Sequence, residues 1–227
     1  MRDPADTPMP RRRRRKPAAG EDPAKRAQIL DGAREVFARL GFDAASMNDI
    51  TRESGVSKST IYVYFASKED LFEALLAQTR ERLLGEITAE LDRPGSVAEV
   101  LGRYGRHLAR TICSENVISA HRTVIGVTER RPELGRRFYQ DGGRRGMEAL
   151  RSYLLRQIAA GTLSIGDPEL AAYQFVELSM AGLFRRRVMA HMDREPEDAE
   201  IDRTVDAAVA MFLASYGTGK GAGGAEI

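Results

Sequence analysis

Glu53-Ser54-Gly55-Val56-Ser57-Lys58-Ser59-Thr60-Ile61-Tyr62-Val63-Tyr64-Phe65 is the run whose reading decides the fold. Gly55 interrupts a short helical pattern and marks a tight turn, since glycine enters the left-handed backbone region without steric cost. Ser57 follows as a helix N-cap candidate. In the helix it opens, Ile61 and Phe65 share one face, which leaves Lys58, Ser59, Tyr62 and Tyr64 on the sides facing out. Hydroxyls, one ammonium and two phenols on a helix this short suit contact with phosphates and base edges.

Working outward, the flanking residues supply the rest of a small helical head. Asp22-Pro23 is a helix-start signal, and Ile29, Leu30, Ala33, Val36, Phe37 and Leu40 form one apolar stripe that Gly41 ends. Ser46 with Asp49 reads as a capping box for a second helix, with Met47 and Ile50 buried. Ser67 with Asp70 repeats the box and starts a fourth helix, marked by Leu71, Phe72, Leu75, Leu76, Leu83, Leu84, Ile87 and Leu91. The second and third helices, joined by a glycine turn, describe a helix-turn-helix.

Beyond Arg93-Pro94-Gly95 the texture stays helical, so the fold class is all-α: a three-helix DNA-binding head followed by a helical bundle. Ser96 with Glu99 caps a helix through Ile112, and another covers Val117 to about Glu129. Pro132 breaks the pattern, and a long helix follows through Phe138, Met147, Leu150 and Ile158 to Gly161, with Gly142-Gly143 as its weak point. Asp167-Pro168 opens a helix to about Met192, and a last one after Pro196 ends at Gly217. The spacing divides the chain into a basic arm (1–21), the head (22–67), a second helical domain (68–216) and a Gly-rich tail (217–227), with arm and tail expected to be disordered.

Composition bounds the function. The chain has 227 residues, 42% apolar, enough for a sizeable core. No run approaches the roughly 18 apolar residues of a membrane span. The Arg-rich start leads into Pro17-Ala18-Ala19-Gly20 rather than an apolar segment, so a cytoplasmic location with no membrane partner is expected. Residues 1–20 carry net +5 and the remainder −3, which concentrates positive charge in an arm able to act near polyanions. One cysteine, Cys113, excludes an intramolecular disulfide framework and leaves no cysteine cluster for zinc; no metal and no cofactor are expected. An enzyme would have to use Cys113 with His107 or His121. Cys113 and His107 are six apart on divergent helix faces without an oxyanion-type glycine motif, so the reading is non-enzymatic. A ligand-independent architectural DNA binder is the alternative; the Arg arm suits it, but about 130 further residues patterned as an amphipathic bundle do not.

Residues 25–72 resemble the DNA-binding head of the TetR/AcrR family of transcriptional regulators. The resemblance rests on Phe37-Ala38-Arg39-Leu40-Gly41-Phe42, Ser46-Met47-Asn48-Asp49-Ile50, Gly55 to Phe65, and Ser67-Lys68-Glu69-Asp70-Leu71-Phe72. It implies that Ser46, Lys58, Ser59, Thr60, Tyr62, Tyr64 and Lys68 occupy positions that contact double-stranded operator DNA. Lys68 and Ser46, each at a helix start, could hold a phosphate with backbone N–H groups. Tyr64 stands where a histidine is frequent in the family. The second half resembles the AefR-like effector domain through Glu129-Arg130-Arg131-Pro132-Glu133-Leu134, Phe138-Tyr139, Gly142, Gly161-Thr162-Leu163 and Asp167-Pro168. That resemblance implies a small-molecule effector pocket and a homodimer paired through helices 168–192 and 198–215, where Ala181, Gly182, Ala207, Ala208 and Ala210 would permit close contact. Tyr104, His107, Cys113, His121, Arg122 and Phe138 are the candidate pocket residues. The function so implied is a ligand-responsive repressor released from a pseudo-palindromic operator.

Overall fold

A computed structural model of the chain describes residues 22–140 and 144–219. The arm, the Gly142-Gly143 pair and the tail beyond residue 219 lie outside the described residues. Among the described residues the secondary structure is helical, with one isolated bridge between Leu163 and Gly217, and no helix is long and apolar enough to cross a membrane.

In the head, the Asp22 carboxylate accepts from the backbone N–H of Ala24 and Lys25 and opens α1 (Pro23–Ala44). Gly41, at φ 75°, breaks that helix one turn before its last residue, which is where the apolar stripe ends. The capping box forms in full ahead of α2 (Met47–Ser54): Asp49 N–H donates to the Ser46 hydroxyl at 3.2 Å and Ser46 N–H donates to the Asp49 carboxylate at 3.1 Å. Gly55, at φ 64°, makes the left-handed turn into α3 (Lys58–Tyr64), capped by Ser57. Ile29, Leu30, Ala33, Val36, Ile50, Val56, Ile61, Phe65, Leu71 and Leu75 close the core. Gly32 lets α1 lie directly on α2, because a Cβ there would sit 2.6 Å from the Ser54 Cβ.

Ser67 opens α4 (Lys68–Ala89), and the chain divides into two compact units after Leu75, inside this helix. The sequence reading set that boundary at 67/68. The first two turns belong to the head because Leu71 and Leu75 complete its core.

The second unit continues through a 3-10 turn (Glu90–Asp92), α5 (Val97–Ile112), α6 (Glu115–Thr128), α7 (Pro132–Phe138), α8 (Arg144–Ala159), α9 (Pro168–Ser179), α10 (Phe184–Val188) and α11 (Asp198–Tyr216). Its core stacks Leu101 and Tyr104 of α5, Leu150 and Leu154 of α8, Phe175 of α9 and Phe212 of α11. Residues 141–143, between α7 and α8, lie outside the described residues. One expected long helix is found in two pieces. The helix expected to reach Met192 stops at Ser179, Gly182 turns the chain at φ 73°, and Leu183 then joins Ala109, Cys113, Ile201 and Val205 in a second core cluster.

Candidate nucleic-acid interface and ligand-binding region

Helix α3 is anchored by Ile61, fully buried, and by Phe65 just past its end. Its other sides carry Lys58 and Ser59, both exposed, and Tyr62, 47% exposed. The Ser57 hydroxyl lies 2.7 Å from that of Thr60 and 3.1 Å from that of Ser59, so the first turn presents a linked set of hydroxyls. Ser46 is exposed and holds Asp49, whose carboxyl is kept below its ordinary value first by the Ser46 hydroxyl and also by Arg52.

Two of the sequence-predicted contacts sit differently from the reading. Tyr64 is half-buried and packs against the head core rather than facing out. Lys68 does not present its ammonium freely. It donates to the carbonyls of Phe42 at 2.7 Å, Ala45 at 2.9 Å and Asp43 at 3.2 Å, and sits 4.5 Å from the centre of the Phe42 ring. These carbonyls leave the end of α1 without helical partners, and a cation satisfies them. Conversely, Val63 is 53% exposed beside Tyr62. The sequence reading did not single it out.

The six candidate pocket residues do not form one site. Tyr104 is buried in the main core with its ring 6.3 Å from Phe175, and burial raises its phenol above the usual value. His107 lies beside Glu90, Nδ1 to Oε1 3.6 Å. Cys113 is buried in the second cluster, and burial pushes its thiol up to about 11 despite nearby Arg187. Burial keeps such a thiol protonated, and the thiolate is the nucleophilic form. Arg122 donates to the carbonyls of Val188 at 3.1 Å and Arg187 at 2.6 Å, closing the end of α10. Only His121 and Phe138 come together, edge to face at 5.0 Å, with Phe184 on the other side of the imidazole at 5.1 Å. Burial lowers the His121 pKa, and its Nδ1 pairs with the Val117 carbonyl at 2.8 Å.

The sequence also gave no sign of Arg187. Its side chain is 1% exposed and donates to the Cys113 carbonyl at 3.1 Å, the Met192 carbonyl at 3.0 Å and the Glu115 carboxylate at 2.5 Å. In the run Arg185-Arg186-Arg187 nothing distinguishes the one arginine that is buried.

An open cleft of about 400 Å³ lies between α8 and α9, lined by Arg144, Arg145, Met147, Glu148, Arg151, Glu169, Ala172 and Tyr173. None of the candidate pocket residues lines it. Among the described residues, no group of three or more metal-ligating side chains comes together.

A helix-turn-helix head on an all-helical body defines a class of two-part helical proteins. The chain belongs to the TetR family of bacterial regulatory proteins: the family's N-terminal model matches residues 29–75 and the model of the AefR-like transcriptional repressor C-terminal domain matches residues 99–218. A Mesorhizobium loti protein assigned to the TetR-family regulators superposes with a TM-score of 0.80 at 28% identity, covering 86% of this chain and 98% of that one. The flavonoid-responsive regulator FrrA superposes with a TM-score of 0.70 at the same identity and coverage. Among curated relatives, the transcriptional regulator UidR of Escherichia coli is 39% identical over 67 residues, 30% of this chain. That match spans 34% of UidR, about a third of its length.

Proposed function

We propose that the chain is a homodimeric, sequence-specific transcriptional repressor, released from a pseudo-palindromic operator by a small-molecule effector. One observation carries the reading: α3 is held by Ile61 and Phe65 while Lys58, Ser59, Tyr62 and Val63 face solvent on a helix that follows a glycine turn. A helix of this kind enters the major groove, where Lys58 and the hydroxyls reach base edges or phosphates and Val63 meets thymine methyl groups. Ser46 and Tyr62 hold the backbone, and Thr60 and Tyr64 support the helix from its flanks. Two copies bind successive grooves when their recognition helices stand about 34–36 Å apart.

The relatives support regulation rather than catalysis, and the flavonoid-responsive FrrA supports a small-molecule effector. The surface of α11 supports a dimer. Ala207, Ala210 and Met211 lie exposed on it, and Leu170 and Ala181 lie exposed on or just after α9. Ala208, by contrast, is buried within the subunit and takes no part in that face. An effector acts by binding one spacing of the two heads better than the other, since a ligand without such preference shifts nothing.

The test is a titration of the purified protein against fragments selected from its source genome, at several salt concentrations. Selective binding to a palindromic site that survives moderate salt is the expected result. Affinity equal across sequences would overturn the repressor reading in favour of an architectural DNA binder.

A further inference from the structure

The cleft between α8 and α9 has a charge pattern that selects among ligands. Two of its three arginines are already paired. Arg151 holds Glu148 at 3.0 Å, and Arg145 holds Glu81 at 2.8 Å. Arg144 has no ion pair or hydrogen bond among the described residues, and on the opposite helix the Glu169 carboxylate has no cationic partner there either. Among the described residues the cleft thus keeps one uncommitted cation on α8 and one uncommitted anion on α9. Met147, Ala172 and Tyr173 line the same cleft. The volume of about 400 Å³ suits a small molecule. A thioether and a phenol ring favour a flat aromatic body.

We propose that this cleft binds an aromatic hydroxy acid, its carboxylate on Arg144, its ring between Met147 and Tyr173, and its hydroxyl donating to Glu169. A guanidinium takes a carboxylate through paired N–H groups, and an ionised carboxylate is a strong acceptor for a phenolic hydroxyl. A purely cationic ligand would leave Arg144 unmatched, and a purely apolar one would leave both charges unmatched. The proposal rests on the effector reading above for its biological role, but the binding itself does not.

Titration calorimetry on the full-length, DNA-free protein separates the two. The probes are 4-hydroxycinnamate, its methyl ester and 4-methoxycinnamate. The acid is expected to bind, and the ester and the methoxy analogue each to bind roughly tenfold more weakly or worse. Arg144→Gln, at an exposed residue with no ion pair among the described residues, should weaken the acid by about the same factor and leave the ester unchanged, the signature of a direct pair. Glu169→Gln should act in the same way toward the hydroxyl. No heat with the acid, equal affinity for acid and ester, or an acid affinity indifferent to Arg144→Gln would each overturn the site. If the acid binds with these dependences but leaves operator affinity unchanged, the cleft assignment stands and the release mechanism falls.

Discussion

The ammonium of Lys68 donates to three backbone carbonyls from the end of α1 and the connection beyond it, and such bonds are worth more than neutral ones because the donor is charged. Replacing Lys68 with Met removes them while keeping the stem over Phe42. The head should lose about 2 kcal/mol in denaturant unfolding, the range for hydrogen bonds to a charged group. Tyr62→Ala makes the opposite pattern. Its ring is 47% exposed with no place in the core, so stability should move by no more than about 0.5 kcal/mol while operator affinity drops. Both outcomes are read from one urea melt and one DNA titration per variant. Equal stability loss in the two would mean that α3 is packed differently from this description. The contrast also marks where sequence legibility ends. The outward tyrosine could be read from a spacing of four against Ile61 and Phe65, because helical periodicity is local. The fate of Lys68 depends on Phe42 and Ala45, more than twenty residues back in the chain, and no local pattern encodes which carbonyls a helix end leaves open. Arg187 is the same case in stronger form, since only the assembled fold brings the Cys113 carbonyl and Glu115 to it.

Helix boundaries marked by side-chain caps were legible, because the cap chemistry sits within three residues of the end it closes. Ser46 with Asp49 and Ser96 with Glu99 form complete boxes, and Asp167 caps the first turn of α9. The break between α9 and α10 was not legible. Gly182 lies inside an apolar pattern that reads as continuous helix, and its meaning appears only because Leu183 must reach the Cys113 cluster. Gly182 therefore offers a clean measurement. A methyl group added there meets no atom within 4 Å, so any cost of Gly182→Ala arises from its backbone angle of φ 73°. That cost should be about 1–2 kcal/mol. Gly85, within α4, also has nothing within 4 Å of an added methyl but keeps ordinary helical geometry. Gly85→Ala should instead stabilise by up to about 1 kcal/mol, the helix propensity difference. The two variants should thus shift the thermal midpoint in opposite directions. A shift of the same sign in both would show that Gly182 is not the residue that turns the chain.

At the scale of the whole molecule the proposed unit of action is a pair of chains, and the surface that could make the pair is defined by what the subunit already covers. α9 and α11 are neighbours within the subunit: the Phe175 and Phe212 rings stand 5.3 Å apart, and the Tyr216 hydroxyl donates to Gln174 at 2.6 Å. Ion pairs from Arg106 to Asp202 and Asp206, and from Arg110 to Asp198, tie α11 to α5. The side of α11 left over carries Ala207, Ala210 and Met211, the last 57% exposed. Small side chains beside a flexible methionine permit close helix approach, and no charge lies among these three. Ala210→Arg would place a long cation at that point while leaving the subunit core untouched, because Ala210 is exposed. Sedimentation should then show monomers at concentrations where the unmodified protein is dimeric, with the melting midpoint of the subunit retained apart from what dimerisation itself adds. Operator affinity should fall steeply and the dependence on half-site spacing disappear, since a single head reads one groove and gains nothing from the second. Ser119→Arg, an exposed position on α6, adds the same charge elsewhere and should leave both the mass and the spacing dependence intact. A dimer that survives Ala210→Arg would mean that the two chains meet through another face.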